Sequence, residues 1–201
     1  AAGHAMFAPV FGKWLEETLY GTDYAAGFYD LAGEEASVRE AVERLSGIML
    51  GTSAHLFSPT RAATRGTLAV CLYRMAGRPA PERHKLADVE ADTELFQAVS
   101  WGMDQGIFTD SDTFLPEEML TRQVLAVALY RFYTGFLGMT AETLTGLGAF
   151  QDGGQTADYA RTAMGWALSD GVLCPRNGML RPQALVSRGQ LAEALAEVWA
   201  L

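Results

Sequence analysis

One phrase is written three times in this 201-residue chain. FSPTRAATRGTLAVCLYR begins at Phe57, FLPEEMLTRQVLAVALYR at Phe114 and LRPQALVSRGQLAEALAE at Leu180. A short recurring unit cannot bury its apolar face alone and must stack on its copies, so the recurrence constrains the fold more than any single motif does. Aligned on Pro59, Pro116 and Pro182, each copy places a hydroxyl residue after the same interval: Thr64, Thr121 and Ser187. An arginine follows each: Arg65, Arg122 and Arg188. Apolar positions then keep one phase: Leu68, Cys71, Leu72 and Met75; Leu125, Ala128, Leu129 and Phe132; Leu191, Ala194, Leu195 and Val198. That three-four spacing predicts one buried helical face per copy. The hydroxyl residue reads as an N-cap that accepts from a first-turn backbone N–H. Only Ser187 completes a capping box, with Gln190; Thr67 and Val124 hold that place in the other copies.

A second phrase precedes each of these. AVSWGMDQGIF and TAMGWALSDGVL align Trp101 with Trp166 and Gly106 with Gly171, and AVERLSGIMLG offers Gly47 with Val42 near the tryptophan position. Each reads as an amphipathic helix ended by a glycine able to adopt the left-handed conformation. Further upstream stand Asp30 in FYD, Asp88 in LAD and Asp152 in FQD. Each unit is therefore an aspartate, a helix, a Gly-ended loop, a proline turn and a second helix. The units run over residues 28–78, 86–135 and 148–201 and together form one structural domain. Residues 1–27 hold AAGHAM, which reads as a cloning remnant, and an extra helix carrying Val10, Phe11, Trp14, Leu15 and Leu19 at helical spacing. That helix is placed to cover an open end of the assembly. GRPAPERHK reads as a polar surface linker, and the more apolar TGFLGMTAETLTGLGAF as one that packs.

Composition narrows the functional classes. A formal charge of −9 argues against a general nucleic-acid binder, which needs an extended basic face. A few well-placed arginines can still hold an anion locally. Cys71 and Cys174 are too few for a disulfide framework, and Cys71 in an apolar helical pattern reads as a buried thiol. His4, His55 and His84 are scattered, with no zinc spacing, and no cofactor motif is present. No run reaches the roughly 18 apolar residues of a membrane span. No secretory h-region is visible, so any signal peptide lies outside this sequence.

These motifs resemble those of the S-layer homology (SLH) repeat of bacterial surface proteins. That pattern has an aromatic-x-Asp, a Trp/Ala-rich helix, a Gly-Ile-x-x-Gly loop, Phe-x-Pro, and Thr-Arg-Ala-Glu opening a helix. Here the matches are FYD, GIMLG, FSP and TRGT; LAD, GIF, FLP and TRQV; and FQD, GVL, LRP and SRGQ. The resemblance runs from about Phe28 to the end of the chain. It implies an all-α fold, with three SLH repeats (helix-loop-helix) in a pseudo-threefold arrangement around a central helical bundle. It further implies a non-catalytic, extracellular module at the bacterial cell wall. Grooves between its repeats would hold a secondary cell-wall polysaccharide bearing ketal-linked pyruvate. Catalytic or adhesive regions are often appended to such repeats in a parent protein.

The arginines are the candidates for that polymer's carboxylate. A cation in the first helical turn opposes the helix dipole by roughly 0.3–1 kcal/mol. A carboxylate there would relieve the conflict, meeting free backbone N–H groups and a planar guanidinium fork together. Trp101 and Trp166 read either as core residues or as covers for a sugar's apolar face. Asp30, Asp88 and Asp152 read either as turn caps or as acceptors for sugar hydroxyls. The second loop glycine is present only as Gly51, where it would let backbone approach a ligand. Asp110 and Pro175 stand near that place in the other copies, one adding negative charge and the other removing a donor. The groove built on the first loop is thus the strongest binding candidate. A structural or protein-interaction module that has lost glycan binding is the alternative. Glu34 with Glu35, and Glu117 with Glu118, are adjacent pairs that diverge around a helix and give no catalytic constellation.

Overall fold

The computed structural model describes residues 27–82, 84–143 and 146–201. The extra helix expected within residues 1–27 lies outside the described residues. Six α-helices and no strands make the described part all-α. They are α1 (Ala36–Arg44), α2 (Arg65–Met75), α3 (Glu94–Asp104), α4 (Arg122–Arg131), α5 (Arg161–Ser169) and α6 (Arg188–Ala200). A π-helical turn, Phe132–Phe136, extends α4.

The apolar phase read from the three phrases is the core. All twelve of those positions on α2, α4 with its π turn, and α6 are buried. The helix starts follow the expected capping chemistry in two cases of three. Thr64 Oγ1 accepts from Thr67 N at 3.2 Å, and Ser187 with Gln190 closes a full capping box. Thr121 departs from the expectation: its hydroxyl makes no cap bond and is buried without a partner among the described residues. Thr93, unforeseen as a cap, accepts from Phe96 N at 3.1 Å and starts α3. Gly47, Gly106 and Gly171 have φ of +78°, +67° and +72°, the left-handed conformation expected of helix terminators.

Helix pairs cross the sequence units. α3 of the second unit packs on α2 of the first, α5 of the third on α4 of the second, and α1 of the first on α6 of the third. The backbone repeats this order. Leu120 N donates to Ala63 O at 2.9 Å, Val186 N to Leu120 O at 2.9 Å, and Ala63 N to Val186 O at 2.8 Å. Three buried residues thereby satisfy one another's main chains in a closed cycle, as buried backbone requires. Each proline turn caps the helix of the preceding unit in the cycle. Arg65 N and Gly66 N donate to Glu118 O and Pro116 O, Arg122 N and Gln123 N to Ala184 O and Pro182 O, and Arg188 N and Gly189 N to Arg61 O and Pro59 O. Gly189 and Gly66 sit where a Cβ would press on Pro59 O at 3.3 Å and Pro116 O at 3.1 Å, so the turns come very close to the helix starts. The connector after α4 does pack: Phe136 and Ala141 lie against the core and Leu147 is buried.

Candidate functional site

Three grooves lie between the loops after α1, α3 and α5 and the helices that follow them. The first, about 290 Å³, is lined by Leu50, α2 with Cys71 and Arg74, and Arg188 from the third unit. The second, about 360 Å³, is lined by Ile107, Phe108 and Thr109, α4 with Arg131, Arg65 from the first unit and Tyr159. The third, about 430 Å³, has Cys174 and Arg176 on its loop, Glu193 and Glu197 on α6, Arg122 from the second unit, and Glu35, Glu40 and Arg44. The recurring arginine of each unit therefore reaches into the groove of the next.

These arginines serve the backbone first. Arg65 Nε donates to Phe114 O at 2.9 Å, Arg122 Nε to Leu180 O at 2.8 Å and Arg188 Nε to Phe57 O at 2.8 Å. Arg122 Nη2 also donates to Cys174 O, and Arg188 Nη2 to Leu50 O. Both side chains are nearly sealed, Arg122 at 6% and Arg188 at 7% exposure. Neither has a carboxylate within ion-pair distance among the described residues, and burial pushes both guanidinium pKa values down. Arg65 differs. Its terminal nitrogens make no hydrogen bond among the described residues, and its Nε lies 3.6 Å from Glu118 Oε2.

The free helix-start N–H groups expected to meet the anion beside the arginine are absent from the site. In all three starts the first two donors are taken by the neighbouring proline turn. The aspartates are likewise engaged. Asp30 accepts from Phe57 N and Ser58 N, Asp88 from Phe114 N and Leu115 N, and Asp152 from Leu180 N and Arg181 N, at 2.6 to 3.1 Å. Each carboxylate thus holds two successive N–H groups, the second of them from a residue at positive φ: Ser58, Leu115 or Arg181. Those backbone donors hold Asp88 below the usual carboxylate range; in Asp152 they outweigh the upward push of burial.

Trp101 packs with Tyr73, Phe132 and Phe136, and Trp166 with Tyr130 and Tyr133; both indoles are buried and line none of the three grooves. At Gly51 a Cβ would meet Phe28 and the carbonyls of Leu56 and Ser53 at 2.6 Å, so the close approach that needs glycine is made by the chain itself. Asp110 turns away from the second groove towards His84. Burial raises the Cys71 thiol to about 12, an inert group as its sequence setting suggested.

Sequence reasoning did not single out Arg74, Arg131 or Tyr159. A signal existed: two of the three phrases end in Tyr-Arg, and those arginines are Arg74 and Arg131, with Glu197 in the third copy. They differ in partner. Arg74 pairs with Glu94, Nε to Oε1 at 2.8 Å, and holds that carboxyl at about 2. Arg131 donates only to Ile107 O at 3.2 Å and has no carboxylate within ion-pair distance among the described residues. Tyr159 is 63% exposed at the lip of the second groove.

These features define an all-helical module whose grooves are built from the loop and following helix of one unit and an arginine of an adjacent unit. The sequence model of the S-layer homology domain matches residues 149–192, which supports membership of that family for the third unit. Such domains are non-catalytic anchoring modules of the bacterial cell wall. No curated protein matches the chain. Among the described residues, no helix is long and apolar enough to cross a membrane and no cluster of His, Cys, Asp and Glu is arranged for a metal ion.

Proposed function

We propose that the chain carries three S-layer homology repeats in a pseudo-threefold arrangement and anchors a protein to the bacterial cell wall by binding an acidic, pyruvylated secondary polysaccharide. The cyclic backbone bonds, the three arginine-to-carbonyl contacts and the three helix pairs across units all support three equivalent repeats. The working groove is the second. The observation that carries this is that Arg65, whose terminal nitrogens make no hydrogen bond among the described residues and whose one carboxylate contact there is Glu118 at 3.6 Å, shares with Arg131 a groove that no described carboxylate lines. In the first groove Arg74 is neutralised by Glu94, and in the third Glu35, Glu40, Glu193 and Glu197 face the arginines. Apolar walls from Val124, Val127 and Phe108 suit the ketal methyl, and Tyr159 offers a face to a sugar ring.

Titration of the chain with purified pyruvylated wall polymer is expected to give one site per repeat triplet, and depyruvylated polymer a far weaker one. Arg65→Ala or Arg131→Ala should each weaken binding about tenfold or more, the worth of one charge-assisted hydrogen bond. Wall pelleting that is unchanged in the Arg65→Ala, Arg131→Ala double variant overturns the reading. A second reading, a structural or protein-interaction module without glycan binding, is favoured by the saturation of Arg122 and Arg188 with backbone carbonyls. It expects that pelleting result and full affinity for a protein partner.

A further inference from the structure

The linker from the first unit to the second is stitched to the loop of the second groove. Glu82 N donates to Asp104 Oδ2 at 2.7 Å, Ala87 N donates to Asp112 O at 2.8 Å, and between them His84 lies against two carboxylates. His84 Nε2 is 2.6 Å from Asp104 Oδ1, at the end of α3, and Nδ1 is 3.5 Å from Asp110 Oδ1. Asp110 follows Thr109, which lines the groove, and its side chain is 81% exposed.

Both ring nitrogens face an acceptor. A neutral imidazole has one N–H, so its other nitrogen would present a lone pair to a carboxylate. Only the imidazolium satisfies both sides. Among the described residues, Asp104, from α3, and Asp110, from the loop, are the charges that act on the ring. The hydrogen bond to Asp104, ahead of the opposing effect of burial, raises the His84 pKa from its ordinary value, and Asp110 adds to the rise. When the proton leaves, the tighter Asp104 contact keeps the remaining N–H, and the longer, solvent-facing Asp110 contact is lost.

We propose that His84 is a proton-controlled latch on the second groove: as imidazolium it holds Asp110 back on the linker, and on deprotonation it frees that carboxylate beside Thr109, where it opposes an acidic ligand. The effect on ligand rests on the function proposed above; the movement of the loop does not.

The test is a pH titration of the whole chain by NMR, following the His84 ring and the amides of Phe108, Thr109 and Asp110. Those amides are expected to shift with the His84 midpoint, and the shift to vanish in His84→Gln. Asp110→Asn should lower the His84 midpoint, and it changes only an exposed residue. Titrating a pyruvylated wall oligosaccharide on either side of that midpoint should show about threefold to tenfold weaker binding at the higher pH, as expected for one added charge nearby. Asp110→Asn should remove that difference. Amides that ignore His84, or an oligosaccharide affinity that is the same on both sides, overturn the latch. Amides that follow His84 while no oligosaccharide binds at any pH keep the latch and reject the anchoring function.

Discussion

At the scale of residues, one arginine position carries two tasks. Arg122 and Arg188 each bridge two carbonyls of another unit, whereas the terminal nitrogens of Arg65 make no hydrogen bond among the described residues. Arg122→Lys replaces a planar fork with a point charge that cannot serve Leu180 O and Cys174 O together. It is expected to lower stability by about 2 kcal/mol, the cost of a lost charge-assisted bond at a buried carbonyl. Urea denaturation checks this; an unchanged midpoint would mean the fork is not structural. The sequence showed that an arginine belongs at this place but not what it serves, because its carbonyl partners come from another unit far along the chain. The aspartates show the same limit. Both of their readings were open from sequence, and the clamp on two successive N–H groups depends on the left-handed conformation of the residue before each proline, which the residue types Ser58, Leu115 and Arg181 do not announce.

At the scale of elements, the helix starts separate good caps from nominal ones. Ser187 sits in a reciprocal box with Gln190, so Ser187→Ala is expected to cost about 1 kcal/mol. Thr121 stands at the same place in its copy, yet its buried hydroxyl has no partner among the described residues. Thr121→Val removes an unsatisfied polar atom at constant shape and is expected to be neutral or stabilising, by up to about 1 kcal/mol. A loss of stability in Thr121→Val, read by chemical denaturation, would show instead that α4 depends on its side-chain cap. The capping box, the helical phase and the glycine terminators were legible because each depends on residues a few positions apart. The two tryptophans were not assignable, because helical spacing does not say whether a neighbouring unit covers that face. Tyr159 was overlooked for the converse reason: it lies outside the recurring phrases, and only the approach of α4 gives it a groove to border.

At the scale of the whole molecule, closure makes distant charges report on a single transition. α6 covers α1, and the backbone cycle through Ala63, Leu120 and Val186 fails if any one unit leaves. Two sets of titrating groups bear on that transition with opposite sign. Asp88, Asp152 and Glu94 have folded pKa values depressed from 3.8, 3.8 and 4.5, with Glu94 near 2. Their contribution is present above the unfolded values and is lost as pH falls through the folded ones. His84 is raised from 6.5, so its contribution is complete below that value and is lost as pH rises through the folded one. The urea midpoint plotted against pH is therefore expected to fall on both flanks. Glu94→Gln should flatten the acid flank between pH 4.5 and 2, and His84→Gln the flank above 6.5. Because the cycle is closed, intrinsic fluorescence and circular dichroism should give the same midpoint at every pH. If the two probes separate, the units unfold one at a time, and α6 does not lock the first unit to the third.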